Sequence, residues 1–144
     1  MSKILNDPST GVEEEYISVK NTTASTLENG DVVVADFSSD EDALIQGAVG
    51  TTSALAGKVL GVVSQADGNT VAVGDYCRVM VRGLHKAVKK VSGTIARGDQ
   101  IGTSTTSLMA TKAGSAAAAG QQLGYCASAA ATDDTTFVCR VDVK

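Results

Sequence analysis

The stretch VAVGDYCRVMVRG, residues 71–83, places a Gly-Asp turn ahead of a run in which charged and apolar side chains alternate. In an extended chain successive side chains point to opposite faces, so Arg78, Met80 and Arg82 share one face while Val79 and Val81 share the other. The β-branched residues suit a pleated surface, and the alternation predicts an antiparallel sheet with one wet face. Its centre, CRVMV at 77–81, recurs as CRVDV at 139–143. Working outward, GKVLGVV at 57–63 answers GQQLGYC at 120–126, Leu44 answers Leu108, and TLENGD at 26–31 answers TIARGD at 94–99. The matches stay collinear while their spacing narrows from 68 to 62, as two diverged copies with small deletions would give.

The fold class expected is mainly β: a small barrel or sandwich built from two diverged repeats, about residues 19–83 and 88–144, within one domain spanning 19–144. Two copies are too few for a solenoid, so they are expected to close against each other. Gly30-Asp31, Gly74-Asp75 and Gly98-Asp99 mark turns. At most one short helix is expected, over 113–119. Alanine and valine, 20 and 18 residues, supply most of the 43% hydrophobic content, and Trp is absent. So few large side chains make a lone monomer marginal and favour stabilisation by subunit contacts. No signal peptide or membrane segment is expected: residues 1–11 lack an apolar run, and 113–132 is dominated by Ala, Gly and Ser. Cys77, Cys126 and Cys139, an odd number without CxxC spacing, are expected to be reduced, buried thiols made in a cytoplasm.

Residues 1–18 stand outside the repeat and, with Asp7 and Pro8 resisting regular structure, predict an extended N-terminal arm. Tyr16 and Ile17 would form its apolar plug after Glu13, Glu14 and Glu15. Charge is segregated along the chain: residues 1–42 carry ten acids against Lys3 and Lys20, whereas 76–98 carry six bases and no acid. Opposed segments of this kind imply electrostatic complementarity, between copies or with a partner. The expected partner-binding residues are Asp7, Pro8, Glu13, Glu14, Glu15, Tyr16, Ile17, Arg82, Lys86, Lys89 and Lys90. Nucleic acid is not an expected partner, because the chain is acidic overall and Tyr76 is the sole aromatic beside the basic stretch.

Catalysis needs a nucleophile, base and oxyanion donors that converge, and the chain offers one histidine, His85. No family signature surrounds any Cys. The cysteines lack zinc spacing, Asp40-Glu41-Asp42 lacks the pattern of a calcium loop, and no glycine-rich segment matches a phosphate cradle. No enzyme activity, metal or cofactor is expected.

The order of GKVLGVVSQA, VAVGDYCRVMVRG, SGTIARGDQI, GQQLGYCASAA and the terminal CRVDVK resembles the small capsid decoration, or cement, proteins of tailed bacteriophages. The likeness runs from about Val19 to Lys144. It implies a β-rich domain on the outer surface of an icosahedral virion, usually a homotrimer, that binds the major capsid protein and clamps neighbouring subunits. Synthesis would be in the bacterial host cytoplasm. A receptor-binding or sugar-binding β module, and a small enzyme, are the alternatives; gene neighbourhood would separate the three.

Overall fold

The computed structural model describes residues 5–7, 12–35, 48–49, 59–66, 68–104, 108–113 and 122–143. Among the described residues twelve strands are formed: β1 (Leu5–Asp7), β2 (Val12–Lys20), β3 (Leu27–Glu28), β4 (Val32–Ala35), β5 (Ala48–Val49), β6 (Val59–Val63), β7 (Thr70–Val71), β8 (Tyr76–Lys89), β9 (Gln100–Thr103), β10 (Ala110–Lys112), β11 (Gln122–Ser128) and β12 (Thr136–Asp142). No helix occurs among the described residues; most of the segment for which a short helix was expected lies outside them. Every strand pairing is antiparallel, in a main sheet ordered β10-β9-β11-β12-β8-β6-β4-β5 with the β1–β2 hairpin joined to β8, and β3 paired with β7.

The alternating residues Cys77 to Arg82 lie in β8, the longest strand among the described residues. The first half of β8 pairs with β2 and β6, and its second half pairs with β12. A parallel bridge from Lys90 to Ala110, with the Val91 N–H donating to the Ala110 carbonyl at 3.1 Å, brings the chain after β8 back to β10. The sheet is thereby a nearly closed, barrel-like surface, all-β as expected.

Two apolar clusters fill it. One contains Val19, Leu27, Val33, Leu60, Val63, Val71, Cys77 and Val79; the other holds Ile95, Ile101, Leu123, Phe137 and Cys139 and extends to Val32, Val34, Val62 and Met80. β4 and β6 thus present alternate residues to two different cores, which is why VVV and VLGVV are continuous apolar runs rather than alternating ones. Met80 corrects the expectation of a wet face: it shares a face with Arg78 and Arg82 yet is 3% exposed.

Some pairings recur on both sides of the chain. Leu27 lies opposite Val71 and Ile95 opposite Ala130; Val33 lies opposite Gly61 and Ile101 opposite Gly124. The TLENGD and TIARGD turns are alike bond for bond. The Asp31 carboxylate accepts from the Glu28 N–H at 2.8 Å and the Asp99 carboxylate from the Ala96 N–H at 2.9 Å, while Gly30 and Gly98 take φ of +93° and +89°. The CRVMV and CRVDV match is out of step with these pairings. Val62 pairs with Met80 but Tyr125 with Arg140, two residues from the position the sequence match implies. An even shift leaves every side chain on its original face, so the alternation survives it.

The expected arm is also corrected. Val12–Lys20 is a strand of the main sheet, with Ile17 opposite Val79 and Val19 opposite Cys77. Val19 is fully buried in the apolar cluster, so the sheet domain begins before residue 19.

Candidate functional site

The bases of the central segment sit on or just beyond β8, and the strands beside β8 decide what each can do. At Arg82 both neighbours present an acid, Glu15 from β2 and Asp142 from β12. The guanidinium lies 3.7 Å and 3.8 Å from these two carboxylates and 3.6 Å from Glu13. The group is half exposed, so each pair contributes less than about 1 kcal/mol. Arg78 lies over the Tyr16 ring, 4.4 Å from its centroid, and the Tyr16 hydroxyl donates to Glu14 at 2.9 Å. Burial, then that hydrogen bond, raises the Tyr16 pKa.

Lys89 reaches back to the TLENGD turn. Its ammonium contacts the Glu28 carboxylate and lies 2.6 Å from Asp31 Oδ1. Burial works against the Lys89 charge, but the contacts with Asp31 and Glu28 carry its pKa above the ordinary value. Asp31 has a 1% exposed side chain, and its burial raises the carboxyl pKa although Lys89 and the Glu28 N–H pull the other way. In the matching turn Asp99 faces Lys112 at 3.2 Å near solvent, and the Ala96 N–H and Lys112 hold its carboxyl below the usual range.

Lys90 corrects the sequence reading outright. It is 4% exposed, and its ammonium donates to the carbonyls of Ala131 and Asp134 at 3.1 and 3.0 Å, so it caps a loop and is closed to a partner. Lys86 is exposed as expected. Ile17 is half-buried and packs on the first apolar cluster. Asp7 lies on β1 opposite Val12, and Pro8 falls outside the described residues. Part of the segregated charge therefore meets within one chain: Arg82 with Glu13 and Glu15, and Lys89 with Glu28 and Asp31.

His85 is 5% exposed. Its Nδ1 accepts the Ala87 N–H at 3.1 Å, so Nε2 carries the proton and donates to the Val63 carbonyl at 3.1 Å. Burial lowers its pKa. The three cysteines are buried and unpaired, and burial pushes the Cys139 thiol up to about 12, which suppresses the reactive thiolate. The structure brings neither Cys77 nor Cys139 to His85 through a side-chain hydrogen bond among the described residues. No group of three potential metal ligands occurs there either. An open groove beside Ile95 and Ala130 has Asp99 and Lys112 as its charged groups, and these pair with each other. Val73, Tyr76 and Tyr125 are exposed large apolar side chains.

The sequence reading missed Glu28 and Asp31 as partners of Lys89, because nothing distinguishes one Gly-Asp turn from another until β8 covers it. Among known proteins, no family model and no curated protein matches the chain.

Proposed function

We propose that this chain is a structural virion protein: a decoration, or cement, protein that binds the outside of an icosahedral phage head and stabilises contacts between major capsid subunits. The observation that carries the reading is the fold. The resemblance implies a β-rich domain, and the described residues are all-β, with a nearly closed sheet around cores of small side chains. The same reading takes the two halves as diverged copies, supported by their matched turns and pairings, and takes the protein as a homotrimer on the virion surface. With Arg82, Lys89 and Lys90 engaged within the chain, Lys86, the exposed Tyr76 and the β1–β2 hairpin are the capsid-facing candidates.

The test uses heads of the phage that encodes this chain, assembled with the gene deleted. Purified protein added to those heads should co-sediment, occupy regular positions on the outer surface in electron micrographs, and raise the temperature at which the heads release DNA. Heads that neither bind the protein nor gain stability would overturn the proposal. Selective binding to a glycan array in their place would establish the receptor-binding alternative.

A further inference from the structure

The Glu28, Asp31 and Lys89 cluster has the parts of a self-processing site. We propose that Lys89 Nζ and the Asp31 carboxyl join in an intramolecular amide, a cross-link between β8 and the TLENGD turn, with Glu28 moving the proton. The inference does not depend on the virion reading.

Three observations carry it. Lys89 Nζ lies 2.6 Å from Asp31 Oδ1, yet that buried oxygen accepts no hydrogen bond of normal geometry. The amine therefore stands against the buried carboxyl, paired with it in charge but outside normal hydrogen-bond geometry. The other oxygen, Oδ2, is fixed by the Glu28 N–H at 2.8 Å, a donor placed where negative charge develops when the carbonyl is attacked. Finally, the Glu28 carboxylate touches the same Nζ and is half exposed, so it can take a proton from the amine and exchange with water. The backbone holds the pair in place, with Lys89 N–H donating to the Gly30 carbonyl at 3.0 Å. Fixed proximity of this kind replaces an encounter between separate reactants.

The step balances without a co-reactant. Glu28 removes a proton from the Lys89 ammonium, and the freed Nζ lone pair attacks Cγ of the protonated Asp31 carboxyl. The Nζ–Cγ bond forms as the carbonyl π pair moves onto Oδ2. When that pair returns, the Cγ–Oδ1 bond breaks and Oδ1 leaves as water with the proton relayed by Glu28; Nζ then gives its second proton to Glu28, which passes it to solvent, returning the proton that Asp31 took from solvent to become the neutral acid. Ammonium and carboxylate become amide and one water; nothing is oxidised or reduced. Burial raises the Asp31 pKa and so favours the protonated acid from which Oδ1 leaves as water, whereas the contacts with Asp31 and Glu28 raise the Lys89 pKa, which makes removal of its proton by Glu28 the demanding part of the step.

The second half contains its own control. Asp99 sits in the same turn and pairs with Lys112, but the position of Glu28 is occupied by Ala96 and the pair lies near solvent. One cross-link is expected, at Asp31 and Lys89, and none at Asp99 and Lys112.

The test is intact mass spectrometry of the purified full-length chain under denaturing conditions, followed by peptide mapping. The wild type should be lighter than its sequence by one water, with a branched peptide joining the segments around Asp31 and Lys89. Lys89→Arg should have full mass, and Glu28→Gln should retain full mass or lose water at least tenfold more slowly. Asp31→Asn, should it react, loses ammonia instead. A wild-type chain at full mass after prolonged incubation, or water lost equally in Lys89→Arg, overturns the cross-link. Glu28→Gln reacting at the wild-type rate overturns the role of Glu28. Circular dichroism of each variant separates failure to react from failure to fold: a variant counts only if its β spectrum is retained, and the wild-type mass decides the matter by itself.

Discussion

Replacing Gly30 and Gly98 in turn by alanine measures what the joint between the halves contributes. Both residues occupy the same place in the same turn, at φ of +93° and +89°, so both substitutions meet the same backbone penalty of about 1–2 kcal/mol for a Cβ in the left-handed region. A partial offset of about 0.4–1 kcal/mol comes from the stiffer unfolded chain. A Cβ at Gly98 meets nothing within 4 Å, so Gly98→Ala should cost about 1 kcal/mol net. At Gly30 the Cβ would lie 2.1 Å from the Ala87 carbonyl oxygen, which is backbone and cannot swing away. β8 must then retreat by about an ångström, straining the bond from Lys89 N–H to the Gly30 carbonyl and the bond from Gly30 N–H to Val63, each worth about 1 kcal/mol. With the lost packing, Gly30→Ala should cost about 4 kcal/mol in all. Urea denaturation followed by circular dichroism gives both numbers. Midpoints that fall equally for the two variants would refute the claim that β8 closes tightly over the first turn and leaves the second open.

Three further outcomes follow from named contacts. His85 has a folded pKa below its unfolded value near 6.5, so the unfolded chain binds the extra proton. Stability should be full above about pH 6.5 and decline below it by up to about 1.4 kcal/mol per unit until the folded pKa is reached. His85→Gln should flatten that slope in thermal melts between pH 5 and 7, and an unchanged slope would refute the assignment. Lys90→Met should destabilise by about 1–3 kcal/mol, because the Asp134 carbonyl loses the Lys90 donor and the Ala131 carbonyl keeps only the Asp134 N–H, whereas Lys86→Met should stay within about 0.5 kcal/mol; equal urea midpoints would contradict the capping role. Deleting residues 1–18 should lower the melting temperature sharply, because it strips most of β2 from β8; an unaltered melt would restore the arm as a separate element.

The strands around the Gly-Asp turns were legible because local chemistry determines them: positive-φ glycine, a carboxylate that accepts its own turn's N–H, and β-branched residues on either side. β2 was not, since Glu13, Glu14 and Glu15 have poor strand propensity, and their placement is rewarded by partners the sequence does not show as neighbours: Arg82 for Glu13 and Glu15, and the Tyr16 hydroxyl for Glu14. The opposed charge segments were visible in the sequence, but alternation within a strand does not say which strand lies next to it, so an internal pairing read as an intermolecular one. Lys89 and Lys90 show the limit most sharply. They are identical in type and adjacent, yet one reaches a carboxylate pair and the other is walled in by two carbonyls, a distinction set by the strands packed around them. The even register shift between CRVMV and CRVDV was hidden for the converse reason, as it changes partners without changing faces.

β8 is a single unbroken strand whose first half pairs with β2 and β6 and whose second half pairs with β12. A protein engineer dividing the chain where the sequence matches would place a boundary, between residues 83 and 88, would cut through this strand. Neither fragment would then be self-sufficient: the first would lose the Lys89 and Ala87 backbone that covers the Gly30 turn, and the second would lose the Val81 carbonyl that receives the Val143 N–H. Mixed together, such fragments should instead complement each other, because each supplies backbone partners that the other lacks.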